Sequence, residues 1–187
     1  MRARSMFSPS LSRALPLALG LVLVLAAGAL AQTPITVSFD PPAGEFECND
    51  TLVVSIVVDA AAVDLRGFSL EIGYDETIVE PIAVTAGDLL VGAACDHFVT
   101  WIDPGNDGTL EVDGATLGCS VAGPGSIVSI EFAGVGEGSS PLECLSGILR
   151  DGDNATLDYT CVPGTIQWTC PVPVEARAWG ELKAIHD

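Results

Sequence analysis

Basic residues are scarce in this 187-residue chain, where seven Lys and Arg stand against 25 Asp and Glu. The imbalance sharpens beyond residue 31, because Arg2, Arg4 and Arg13 lie before that point and none of the acids do. Residues 32–187 keep only Arg66, Arg150, Arg177 and Lys183, for a net charge of about −21. Such a surface repels a phosphate backbone, which excludes nucleic acid as a partner. The acidity itself reads as solubility, or as suited to a salty setting where screening weakens self-repulsion. Histidine is limited to His97 and His186, and no C-x-x-C spacing occurs, so a zinc site lacks a ligand set. Helical periodicity is almost absent between residues 33 and 170, which excludes an α or α/β fold.

Only one long apolar run exists, Leu15 to Ala29. It follows the Arg-bearing start and precedes Ala29-Leu30-Ala31, an A-x-A site. That order predicts a secretory signal peptide over 1–31, cut before Gln32. The residue at the cut is Gln32 rather than cysteine, and no stop-transfer pattern flanks the run, so neither a lipid anchor nor a retained membrane span is expected. All six cysteines (Cys48, Cys95, Cys119, Cys144, Cys161 and Cys170) fall after the leader. An even number in an exported chain predicts disulfides.

The remainder suffices for one domain. Short alternating or β-branched runs recur at 35–39, 51–58, 66–74, 79–85, 98–102, 108–113, 125–132, 141–149 and 164–169. Turn formers such as Asp40-Pro41-Pro42-Ala43-Gly44 and Asp151-Gly152-Asp153-Asn154 separate them. About nine strands at this spacing predict an all-β, antiparallel-dominated sandwich over 32–170. Residues 171–187 differ. Pro171-Val172-Pro173-Val174 reads as a stiff spacer, and Trp179, Leu182 and Ile185 recur every three residues in a short amphipathic tail.

Several segments together resemble a cohesin domain. They are Gly67-Phe68 with Leu70, Tyr74-Asp75 and Val79-Glu80, then Val84, Gly87, Leu89 and Leu90. Gly125, Ile127, Ile130 and Phe132 follow, and late in the chain Leu149 and Asp151. The resemblance spans nearly all of 34–169. It implies a nine-stranded jelly roll related to cellulose-binding modules. It also implies a non-catalytic receptor for dockerin modules on secreted, polysaccharide-degrading enzymes. The strand at 66–74 would then lie in the partner-binding sheet, with Gly67, Ser69, Glu71 and Gly73 facing outward. The best-known dockerin-binding cohesins carry Asn and Asp where this chain has Gly67 and Ser69, so two hydrogen-bonding side chains are missing.

The strand layout suggests a disulfide scheme. Cys95–Cys119 would staple the hairpin of strands 98–102 and 108–113, and Cys144–Cys161 would bracket the Asp151 loop in the same way. Cys48–Cys170 would tie the second strand to the last. Asp151, Asp153 and Asp158 are weak calcium candidates, since hard oxygen ligands suit that ion. No catalytic set emerges. Gly118-Cys119-Ser120-Val121-Ala122 only approximates a nucleophile elbow, and Asp151 with Asp153 reads as turn chemistry. No cofactor is expected. Three roles stay open: a docking receptor for a dockerin-like partner, a polysaccharide-binding module using Trp101, Trp168, Tyr74 and Tyr159, or a structural surface protein held by its tail.

Overall fold

Alternation of apolar and polar residues makes strand of most of the stretch from Ile35 to Thr169. The computed structural model describes residues 33–47, 50–105 and 107–169. The leader over 1–31, the tail over 171–187 and the Cys48–Cys170 pairing lie outside the described residues.

Among the described residues there are twelve strands and one helical turn. In chain order they begin with β1 (Ile35–Asp40), β2 (Ala43–Glu47), β3 (Thr51–Val58), β4 (Leu65–Gly73) and β5 (Val79–Ala86). After α1 (Asp88–Val91) come β6 (Asp96–Ile102), β7 (Thr109–Leu117), β8 (Gly125–Gly134) and β9 (Gly138–Asp151). The chain closes with β10 (Thr156–Leu157), β11 (Tyr159–Val162) and β12 (Gly164–Thr169). One sheet runs β11-β1-β3-β8-β5. The other runs β2-β12-β9-β4-β7-β6, with β10 paired to β9.

The nine runs found in the sequence all become strands, and β2, β10 and β11 are additional. Residues 43–44 belong to a strand although they sit in what reads as a Pro-Gly turn. They take that form because β2 pairs in parallel with β12 at the sheet edge. β11 likewise pairs in parallel with β1. Every other strand pairing is antiparallel.

The two sheets bury the inward positions of each strand against one another. β3 contributes Val54, Ile56 and Val58, β4 contributes Phe68, Leu70 and Ile72, and β8 contributes Ile130 and Phe132. Each such side chain stabilises by about 1.5–3 kcal/mol on leaving water. Trp168 of β12 is fully buried, and its ring packs 5.2 Å from that of Phe46. The glycine at 134 leaves room for the indole, because a Cβ there would overlap Trp168 Nε1.

Among the described residues, two disulfides add covalent ties. Cys95–Cys119 closes the open end of the β6–β7 hairpin, where Asp96 stands opposite Leu117. Cys144–Cys161 plays a different part from the hairpin staple expected. Cys144 lies on β9 and Cys161 on β11, so this bond joins the two sheets.

Candidate docking face

β4 occupies the middle of the larger sheet, hydrogen-bonded to β9 on one side and β7 on the other. Its inward residues are the apolar ones, so Gly67, Ser69, Glu71 and Gly73 point away from the core. Flanking strands cover them partly, and all four are half-buried. On this outer face Gly67 stands opposite Ala115 and Arg150, Ser69 opposite Asp113 and Ile148, and Glu71 opposite Glu111 and Ser146. β6 extends each row, with Phe98 opposite Ala115, Thr100 opposite Asp113 and Ile102 opposite Glu111.

The face is bare at one end only. A Cβ on Gly67 would meet nothing nearer than Ala115 Cβ and the Gly114 carbonyl, both at 3.5 Å. At Gly73 the side chain of Leu145 lies across the strand, 3.0 Å from where a Cβ would stand. Leu145 reaches this position because the register of β9 against β4 shifts between Glu71 and Ile72, adding a residue. Ser146 Oγ donates to the Glu71 carboxylate at 2.7 Å.

Apolar side chains line the open end. Phe98 is 46 % exposed, Ile148 42 % and Leu117 54 %, and they wall a hollow of about 850 Å³ floored by Gly67 and Ala115. Ile102 and Leu145 are also exposed toward Gly73, with Glu111, Glu71 and Ser146 between them. A smaller hollow of about 240 Å³ lies there, lined by Glu71, Glu111, Ile102 and Pro104. The wet face of an antiparallel sheet is ordinarily polar. Exposed apolar side chains there depart from that pattern.

A second register shift, between Leu65 and Gly67, leaves Arg66 outside the ladder and exposed. Its guanidinium donates to the Gly152 carbonyl at 2.9 Å, and that of Arg150 donates to the Asn154 carbonyl at 3.0 Å. Both line the larger hollow. The sequence signal for them was available, because Arg66 and Arg150 are the only Lys or Arg between residues 32 and 170.

The loop beside them is ordered by its own acids. Asp151 Oδ1 accepts from the Asp153 N–H at 3.0 Å and the Ala155 N–H at 2.7 Å, while Asn154 takes a φ of 65°. Asp64 accepts from Ser120 Oγ and, at 3.2 Å, from the Gly152 N–H. The Ser120 bond chiefly, with the Gly152 bond and then Arg66, holds the Asp64 carboxyl below the usual range.

Calcium finds no preformed cage in these residues. Asp151 is committed to backbone donors, and Asp158 sits beyond the loop, its carbonyl accepting from the Ile35 N–H. Among the described residues no three His, Cys, Asp or Glu are grouped to hold a metal. Ser120 is bonded to Asp64 rather than to a histidine.

Nor do the aromatics form a platform. Trp168 is buried, as is Tyr74, whose hydroxyl is pushed up to about 12 by burial first and then by Asp103, Asp107 and Glu76. Trp101 and Tyr159 pack against the core. Phe98 is the only strongly exposed aromatic side chain among the described residues.

No protein-family model matches the chain, and no curated protein is similar to it in sequence. Solved structures are similar in fold. A non-cellulosomal cohesin from the archaeon Archaeoglobus fulgidus superposes with a TM-score of 0.62 at 17% identity, covering 82% of this chain and 99% of its own. The sixth cohesin of Acetivibrio cellulolyticus scaffoldin B, solved with a Cel5 dockerin, gives 0.60 at 16% identity, with 73% and 100% covered. A cohesin module from a Clostridium perfringens family 33 glycoside hydrolase gives 0.60 at 11% identity, with 73% and 96% covered. In its fold the chain is a cohesin-like jelly-roll sandwich.

Proposed function

We propose that the chain is a secreted, non-catalytic docking module and that the outer face of β9-β4-β7-β6 receives a dockerin-like partner. One observation carries the reading. Five large apolar side chains (Phe98, Ile102, Leu117, Leu145 and Ile148) are exposed on a single sheet face that would otherwise be polar. Several solved structures of similar fold are cohesins bound to dockerins, which supports the choice of partner. Disulfides and the leader-like start suit export, and the partner's setting is extracellular polysaccharide breakdown. Lacking side-chain anchors at Gly67 and Ser69, the module holds its partner by apolar contact and backbone. The scattered, buried aromatics argue against direct sugar binding.

Gly67→Arg is the test, since the open space above Gly67 admits a side chain without disturbing the sheet. The protein and this variant are immobilised side by side against the secreted fraction of the source organism and against cellulose, chitin and xylan. Capture of a dockerin-bearing protein by the parent and its loss on Gly67→Arg is the expected result. Retention on a polysaccharide, unchanged by the substitution, would overturn the reading.

A further inference from the structure

Arg66 and Arg150 are the only Lys or Arg side chains among the described residues, and both stand at the same corner of the docking face. Two separate devices put them there. The register shift after Leu65 leaves Arg66 outside the ladder, and pairing with Gly67 puts Arg150 on the outer face. In a chain so rich in acids, a guanidinium has many carboxylates it could hold. Instead, their hydrogen bonds go to backbone carbonyls, those of Gly152 and Asn154. One such bond uses a fraction of the five N–H donors that a guanidinium carries.

Neighbouring acids are largely committed. Asp64 is near enough for Arg66 to lower its pKa slightly, yet its oxygens accept from Ser120 Oγ and the Gly152 N–H. Asp151 is occupied by the backbone of its own loop. Asp113 stands one outward row farther along, opposite Ser69, toward the middle of the hollow. A cationic corner thus borders an apolar hollow walled by Phe98, Leu117 and Ile148. At the other end of the same face Glu71 and Glu111 stand directly opposite each other. The face is electrically polar along its length.

We propose that the Arg66–Arg150 corner anchors a carboxylate carried beside an apolar side chain of the docking partner. The inference rests on the docking reading and adds the partner's chemistry to it. The apolar group enters the hollow, while the carboxylate takes the free guanidinium donors with the fork geometry that suits it. The acidic end then prefers a basic group, so a bound segment has one favoured direction.

A fragment tests this without the partner. The probe is 3-phenylpropanoate, with 3-phenylpropanol as its neutral counterpart, titrated into 15N-labelled protein at low salt. Shifts of the Gly67, Ser69 and Ala115 amides and of both guanidinium Nε–H groups report binding. The acid is expected to bind about fivefold more tightly than the alcohol, the upper range for an exposed charge pair. Arg66→Gln with Arg150→Gln reduces the acid to the alcohol's affinity, whereas the double Lys variant keeps part of the preference. A dispersed amide spectrum establishes that each variant is folded. Equal binding of acid and alcohol, no binding of the acid, or a preference that survives the double Gln change overturns the proposal. The docking face itself is judged separately, by Gly67→Arg and the captured partner.

Discussion

Cys144 and Cys161 lie in different sheets, their Cα atoms 6.1 Å apart and their positions 17 residues apart in sequence. The bond therefore fixes the spacing of the sandwich as well as a loop. Closing a loop of that size stabilises by about 3 kcal/mol in the chain-entropy view. Replacing both residues with Ala lowers unfolding free energy by about that amount in urea denaturation. A loss below about 1 kcal/mol would mean that packing alone holds the sheets in place.

Gly134 and Trp168 form a second inter-sheet constraint, one on β8 and one on β12. Gly134→Ala places a methyl where the indole now lies, so either the ring or the strand moves. Overpacking of this kind costs about 3 kcal/mol. Trp168→Phe in the same chain recovers part of the loss, and the double-mutant cycle reads the coupling.

Exposed positions on the proposed docking face behave oppositely. Phe98→Ser and Ile148→Ser change thermal stability by less than about 0.5 kcal/mol, as surface sites generally do. Both weaken partner capture. A large drop in melting temperature for either would show that these side chains serve folding instead.

Asp64 links stability to pH. Its folded pKa is depressed, chiefly by Ser120 Oγ. The associated stabilisation is therefore present above the ordinary value of 3.8 and is lost as pH falls through the lower folded value. Ser120→Ala raises the Asp64 pKa toward ordinary, as a carbon-detected titration reads directly. The two proteins differ in stability at neutral pH and converge in strong acid.

Charge repulsion predicts a salt response of definite sign. With about −21 charges over residues 32–187, added salt relieves self-repulsion in the compact state. Raising NaCl from about 10 mM to 150 mM shortens the screening length from about 30 Å to about 8 Å. The melting temperature rises accordingly. A fall would show that attractive pairs outweigh the repulsion.

Nine of the strands were legible because one face of each is buried, and burial leaves a period of two in the sequence. β2 and β11 escaped because short edge strands are set by their neighbours' ladder bonds more than by their own apolar content. The outward direction of β4 was legible as well, since Phe68, Leu70 and Ile72 admit one orientation only. The apolar walls were not. In Phe98-Val99-Thr100-Trp101-Ile102 both parities carry bulky apolar residues, so the run does not reveal which of them meets water. Leu145 was hidden for another reason: a register shift places it over Gly73, and shifts leave no mark in periodicity.

The two parallel pairings join the beginning of the domain to its end: β1 lies beside β11, and β2 beside β12. During synthesis the first strands made must therefore wait for the last. β1 gains its parallel neighbour only once residue 162 has been made, and β2 only as β12 is completed at residue 169. Such long-range closure is slow. A chain cut short before β11 would keep β1 paired to β3 alone and leave β2 with no partner strand.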